Sequence, residues 1–333
     1  MIRQEAFNNN LDSILQQKPK SIAVAVSGGS DSMSLTLLAN NWAKENSVDI
    51  TAITVDHNLR PEAKLEAETV HNWCEKYGIK HITLTYDGVI PTSNIEAVAR
   101  EYRYELLTNY MKKNSITHLF IAHNQDEQRE TFFLNLARGS GVYGLCGMPE
   151  ISERLGVKIV RPMLKFTKSE IKEYLNSISQ SWIEDPSNLD TKYKRVRIRN
   201  LKELIDTLGL SNERLVDTMK NMERVRNSIE FFVNECLKKS IISKNLKLII
   251  DKEELLYYPQ EVVLRALAKL IKDFSNSEYP PRFESLENLY NRIKNSTLNK
   301  GITLSKLKIS FDKAGNIIMM PEIGRGKKTA GKM

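Results

Sequence analysis

The sequence is poor in cysteine: Cys74, Cys146 and Cys236 lie far apart, with no CxxC pair. That excludes disulfide scaffolds, zinc fingers and cysteine-ligated iron-sulfur clusters, and leaves the thiols as buried or bystander groups. Long apolar runs are missing too. No stretch approaches the roughly 18 residues a membrane span needs, and the N-terminal MIRQEAFNNNLDSILQQ lacks a basic head followed by an apolar segment. The expectation is a cytoplasmic protein that engages no membrane. No internal repeat or low-complexity block stands out, which argues against solenoid and linker architectures. Acidic residues are the minority charge, 41 against 49 Lys and Arg, for a net +8. Such an excess suits a polyanionic partner but is common in lysine-rich proteins, so where the charges sit matters more than their sum.

What is present is enough chain, 333 residues, for two or three domains. Ser21 to Val26 is a β-branched apolar run ending in SGGSDS, after which Met33, Leu35, Leu37 and Leu38 begin a helical pattern. Further strands are expected at Asp49–Val55, His81–Thr85 and His118–Ala122, with amphipathic helices at Glu62–Tyr77, Ile95–Lys113 and Asp126–Ala137. Alternating strands and helices imply a twisted parallel sheet with helices on both faces, which binds ligands at the carboxyl ends of its strands. The chemistry should therefore cluster at SGGSDS, VDHNLRP and AHNQDE. GSGVYGLCGMPE after Arg138 reads as a mobile loop beside that crevice. From about Ser211 the pattern is mainly helical, and KLKISFDKAGNIIMMP reads as a small β-hairpin. The expected division is 1–205 for a catalytic domain, 206–323 for a C-terminal domain and 324–333 for a basic tail.

The loop Ser27, Gly28, Gly29, Ser30, Asp31 and Ser32 offers small residues and backbone N–H groups at a helix N-terminus, a cradle for an anion. It lacks the lysine of GxxxxGK[ST] and carries Asp31 instead, so Asp31 is a candidate Mg²⁺ ligand.

The loop resembles the signature of the ATP pyrophosphatases, the PP-loop fold. VDHNLRPEA, IEAVAREYRYELL and AHNQDEQRETFFLNLARGSGVYGLCGM, then RPMLKFTKSEI and EDPSNLDTKYKRVRIR, resemble in order the VDHGLRP, EAxAREARY, AHHxDDQxETxLxxLxRGSGxxGLxGM, RPLLxxxRxEI and EDPSNxDxxYxRNxIR stretches of tRNA(Ile)-lysidine synthetases. The likeness runs from Ser21 to Arg199. It implies that ATP, with Mg²⁺, adenylates the C2 oxygen of the wobble cytidine of tRNA(Ile) with a CAU anticodon. L-lysine then displaces AMP, changing the codon read from AUG to AUA.

Within that resemblance Asp31 places the metal, and Arg100 and Arg103, one turn apart, face the phosphates; without it they would read as a solvated helix face. Asp126, Glu127 and Glu130 can crowd one helix end, where carboxylates are favourable in any protein. Their functional reading is to hold the lysine ammonium and take its proton. His123 is left to position the phosphates or the adenylate. Asn124 and Glu127 stand where the family has its second histidine and second aspartate, which leaves Glu127 open between Mg²⁺ and lysine. Asn58 replaces a glycine. Lys192, Lys194, Arg195 and Arg197, with Tyr193 as a stacking surface, are the best local candidates for tRNA contact. Arg199 matches an active-site arginine of the family pattern.

Three rival readings remain: a tRNA thiolation enzyme, which would want reactive or cluster-binding cysteines; a small-molecule amide synthetase, which would not need the basic stretch; and a catalytically dead RNA-binding protein, at odds with the intact loop and carboxylates. The oligomeric state is open, a homodimer included.

Overall fold

A computed structural model describes residues 1–57, 62–88, 95–184, 194–244, 247–277, 279–298 and 300–322, apart from the side chains of 95–97, 194, 202 and 203. Asn58, Lys192, Tyr193 and the 324–333 tail lie outside the described residues, as does the side chain of Lys194.

The chain forms two compact units, Met1–Met222 and a second from Glu223 onward. The first contains α1 (Gln4–Leu15), β1 (Ser21–Ala25), α2 (Ser30–Asn46), β2 (Asp49–Asp56), α3 (Glu62–Lys76), β3 (Lys80–Thr85), α4 (Ile95–Lys113) and β4 (His118–Phe120). It continues through α5 (Gln125–Leu136), α6 (Val142–Leu145), β5 (Ile151–Arg154), β6 (Val157–Val160), α7 (Lys168–Ser177), α8 (Lys194–Asn200) and α9 (Lys202–Thr207). Helix α10 (Asn212–Ser240) starts in the first unit and ends in the second.

The sheet of the first unit has the order β3-β2-β1-β4-β6-β5, parallel except for the edge strand β5. Its strands alternate sides with a period of two, as pleating requires. Ile22 and Val24 of β1, Phe120 of β4 and Val160 of β6 enter one core with Phe7, Leu11, Met33, Trp42 and Ile171. Ala23, Leu119 and Ile159 enter the other with Tyr104, Leu107 and Met111 of α4. Trp42 and Phe120 are fully buried with ring centroids 6.5 Å apart, so truncating either to alanine costs about 3–5 kcal/mol. This is the doubly wound arrangement expected from the alternation of strands and helices.

The second unit adds β7 (Ile241–Lys244), β8 (Leu248–Ile250), α11 (Lys252–Leu256), α12 (Gln260–Ser275), α13 (Phe283–Lys294), β9 (Ile302–Leu304), β10 (Leu307–Phe311) and β11 (Ile317–Pro321). The expected hairpin is β10 and β11, closed where Asp312 accepts from the N–H groups of Ala314 and Asn316. It belongs to a larger antiparallel sheet, β7-β8-β11-β10-β9, whose short strands carry too little periodicity to be read alone. Among the described residues no helix is long and apolar enough to cross a membrane.

Candidate active site

The loop from Ser27 to Ser32 turns the chain from β1 into α2. Ser32 closes it: its hydroxyl accepts from the Ser27 N–H at 3.1 Å and donates to the Gly29 carbonyl at 3.0 Å. Ser30 and Ser32 are buried. Gly28 has φ +84°, and a Cβ there would lie 2.6 Å from Ile183 Cδ1 and 2.9 Å from Val70 Cγ2. Two constraints, left-handed backbone and no room, thus demand glycine at one position. Behind the loop, the Thr54 hydroxyl donates to the Val26 carbonyl at 3.0 Å, so the 2.8 Å contact with His81 Nε2 has the imidazole donating. His81 Nδ1 then accepts from His71 Nδ1 at 3.3 Å. Burial, helped by His71, pushes His81 down to about 4.

Helix α5 starts one strand away, after β4. Asn124 caps it, accepting from the Glu127 N–H at 3.0 Å while Glu127 Oε2 accepts from the Asn124 N–H at 3.1 Å. This reciprocal box satisfies two donors the helix would otherwise strand. Asn124 Nδ2 also donates to Asp31 Oδ1 at 3.2 Å, bridging the two loops. That is the physical use of the residue that departs from the family's paired histidines. His123 sits just before the cap with its Nδ1 buried and without a partner. Burial, then Arg161, Arg100 and Arg195, press its pKa to about 3, so it is neutral at physiological pH.

The carboxylates of α5 diverge. Asp126 accepts from the Lys168 backbone N–H at 2.7 Å and thereby fastens the start of α7. Burial, and next the charge of Asp31, push Glu127 up to about 7. Glu130 is buried; its Oε1 accepts from Arg199 Nε at 2.9 Å, whereas its Oε2 has no partner. Burial raises the Glu130 carboxyl against the opposing pull of Arg199.

Helix α8 supplies the arginines. Val196 is buried, Arg199 pairs with Glu130, and the charge of Arg195 acts on His123, Glu127 and Glu130. Arg195, expected from the sequence to contact tRNA, is exposed on α8, four residues from Arg199, and its charge is also felt by the carboxylate cluster. Arg197 is exposed. On α4, Arg103 Nε donates to His57 Nε2 at 3.2 Å, and Arg100 lies over the Tyr104 ring at 5.3 Å. The glycine-rich segment after Arg138, read as a mobile loop, contains the short helix α6. It is held where Gln128 Nε2 donates to the Met148 carbonyl at 2.8 Å and Gln128 Oε1 accepts from the Met148 N–H at 2.6 Å. Gly147, φ +71°, leaves room there for Gln128 and Met219.

Sequence reasoning missed Lys168, whose Nζ lies 2.5 Å from Asp31 Oδ2. The signal was present in RPMLKFTKSEI, where Lys168 stands at the arginine of RPLLxxxRxEI. It also missed Arg129, which donates to Asp206 and Asn212 at 3.1 Å each, because an arginine between two candidate site glutamates looks like a solvated neighbour.

The three cysteines are buried, and burial pushes Cys74 up to about 12, so that thiol is no nucleophile. Among the described residues no group of three or more His, Cys, Asp and Glu side chains is set to hold a metal. Mg²⁺ needs less, one or two carboxylates with substrate phosphates completing its shell. Asp31, at the mouth of an anion-binding loop and beside a second carboxylate that already feels its charge, fits that demand.

These features, a glycine loop at the carboxyl end of the central strand and carboxylates on the helix after its neighbour, define a nucleotide-binding α/β protein of the PP-loop class, and the PP-loop domain model matches residues 3–207. The tRNA(Ile)-lysidine synthase of Wolbachia pipientis wMel is 37% identical over 329 residues, covering 98% of this chain and 74% of that relative. The protein of the same name from Ruegeria pomeroyi is 31% identical over 279 residues, covering 84% and 67%. The chain belongs to the tRNA(Ile)-lysidine synthase family. In fold it is similar to the U34-tRNA thiolase of Methanococcus maripaludis, with TM-score 0.56 and 17% identity over 66% of this chain and 78% of that one.

Proposed function

We propose that the chain is a ligase that forms a carbon–nitrogen bond on tRNA(Ile) with a CAU anticodon, using ATP and L-lysine and releasing AMP and pyrophosphate. The modified wobble base then reads AUA instead of AUG. In the first step the C2 oxygen of the wobble cytidine attacks the α-phosphorus of ATP; the new O–P bond forms as the bond to the β-phosphate oxygen breaks. Ser27 to Ser32 hold the phosphates, and Arg100 and Arg103 are assigned to them as cationic partners. Asp31 is the residue that would hold Mg²⁺, which supplies Lewis-acid neutralisation of phosphate charge. His123, neutral, orients the nucleotide by hydrogen bonding without adding charge.

In the second step the side-chain nitrogen of lysine attacks C2, the C2–N bond forms, and AMP leaves with the electrons of the C2–O bond. The amine must first lose a proton, because its ordinary pKa of about 10.4 keeps it charged. Glu130 Oε2, buried and unmatched, holds the ammonium. Glu127, with a pKa raised to about 7, takes the proton near neutral pH. Arg199 pulls the Glu130 carboxyl toward its charged form against burial and aims it. Lys192, Lys194 and Arg197 are assigned to the tRNA backbone, and the second unit to tRNA selection.

The observation that carries this reading is the buried Glu130 oxygen without a partner, one turn of helix from Glu127, whose carboxyl feels the charge of Asp31. An unpaired buried carboxylate oxygen is costly unless a cationic ligand completes it. The test is incubation with the CAU-anticodon tRNA, ATP, Mg²⁺ and labelled lysine. Mass spectrometry of the digested tRNA should show one lysine joined at the wobble cytidine, with AMP formed in equal amount. Formation of ADP, or lysine found at any other nucleotide, would overturn it.

A further inference from the structure

The glycine loop lacks the lysine with which P-loop enzymes reach the outer phosphates. The fold brings one from elsewhere. Lys168, 137 positions beyond Asp31, places its Nζ 2.5 Å from Asp31 Oδ2. The backbone of Lys168 is anchored: its N–H donates to Asp126 Oδ2, and the box of Thr167 and Glu170 closes the first turn of α7. Ile171, one turn on, is fully buried in the core shared with α2. The pivot is therefore fixed, and the four-carbon stem is what can move. That side chain is 42% exposed and carries its charge on a flexible arm.

Asp31 has both oxygens engaged, Oδ1 with Asn124 and Oδ2 with Lys168. A divalent cation on Oδ2 repels an ammonium held on the same oxygen, so each weakens the other's contact with Asp31. Of the two, only the lysine has somewhere else to go. The loop it faces is built for phosphates, and the leaving pyrophosphate gains negative charge as the bond to the α-phosphorus breaks.

We infer that Lys168 is an exchanging cation: it neutralises Asp31 in the nucleotide-free protein and transfers to the pyrophosphate oxygens when Mg²⁺ and ATP enter, stabilising the leaving group. It keeps its proton throughout, and no bond to it forms or breaks. The same movement explains how the protein carries two neighbouring carboxylates, Asp31 and Glu127, before any nucleotide arrives. The inference rests on the proposed adenylation and deepens it, adding a residue to the first step only.

The experiment compares the whole chain with Lys168→Met and Lys168→Arg, each checked by circular dichroism. Mn²⁺ alone, titrated by electron paramagnetic resonance, should bind Lys168→Met about tenfold more tightly than the unaltered protein, because its competitor at Asp31 is gone. Inorganic pyrophosphate with Mg²⁺, titrated calorimetrically, should bind that variant about tenfold more weakly. Lys168→Arg should stay within about threefold of the parent in both titrations, because it retains the charge. Either affinity left unchanged in a folded Lys168→Met overturns the inference, while the parent still forms AMP. A parent chain that forms no AMP overturns the proposed reaction and this role with it.

Discussion

Replacing Gly28 by alanine separates two physical reasons for one glycine. At φ +84° an L-residue is strained by about 1–2 kcal/mol whatever surrounds it. The new Cβ would also sit 2.6 Å from Ile183 Cδ1 and 2.9 Å from Val70 Cγ2, distances at which something must shift. Overpacking of that kind adds about 1–3 kcal/mol. The expected loss is therefore about 2–5 kcal/mol, read as a shift in the urea midpoint at constant slope. Ile183→Val removes Cδ1, the nearer atom, and leaves the backbone strain untouched. Gly28→Ala in the Ile183→Val background should thus be milder than in the parent by about 1 kcal/mol, a coupling energy that a double-mutant cycle measures directly. Because the Ile183 N–H donates to the Gly28 carbonyl at 2.9 Å, the clash also pushes on the loop backbone, and ATP affinity should fall together with stability. Strict additivity of the two substitutions would refute the close-approach argument, and a neutral Gly28→Ala would refute both.

Glu130→Gln should leave ATP binding and pyrophosphate release intact while lowering lysine transfer at least a hundredfold, as a burst of AMP-linked tRNA without lysine would show. Arg199→Ala removes the largest pull opposing burial at Glu130; its carboxyl rises further, so the pH giving half-maximal lysine transfer should move upward, and an unmoved profile would mean that Arg199 does not act through Glu130. His81, held near 4 against 6.5 when unfolded, stays neutral where the unfolded chain is protonated. Stability is therefore undiminished above about pH 6.5 and falls as pH drops toward 4, by about 1–2 kcal/mol once solvent screening of this partly exposed pair is allowed for. His81→Gln keeps the donor to Thr54 and should flatten that part of the urea midpoint against pH; an identical slope would remove His81 as its source.

Much of the first unit was legible because its strands are short β-branched runs followed by loops of a special composition. SGGSDS could be placed at a strand end from residues alone, and β2, β3 and α4 fall within a residue or so of where periodicity puts them. The site was legible one side chain at a time and illegible in its pairings. Nothing local announces that Asp126 turns to α7 while Glu127 and Glu130 turn inward, because which carboxylate faces a neighbour depends on a helix 40 residues away. Lys168 and Arg129 were overlooked for the same reason: their partners are remote in sequence, and a lone cation on a helix resembles every solvated one. The five-stranded sheet of the second unit escaped because three of its strands are three or four residues long, too short for a period to show.

The arrangement of α5 explains how so unfavourable a set of charges persists. Two carboxyls that burial pushes upward, Glu127 and Glu130, destabilise the fold whenever they ionise, and a helix free to slide would relieve them by turning outward. Its other face prevents this. Phe132 packs with Leu215 and Met219 of α10, Gln128 holds both backbone groups of Met148, and Arg129, almost wholly buried, is fixed by Asp206 and Asn212. Asn212 opens the long helix α10 and also donates to Gln125 at 3.4 Å, the first residue of α5. The strain of the front face is thus offset by packing and by the buried Arg129 guanidinium on the back, and both faces belong to one twelve-residue helix. A site held in this way is ready for a cation before one arrives, which is what a reaction that must capture an ammonium and then deprotonate it requires.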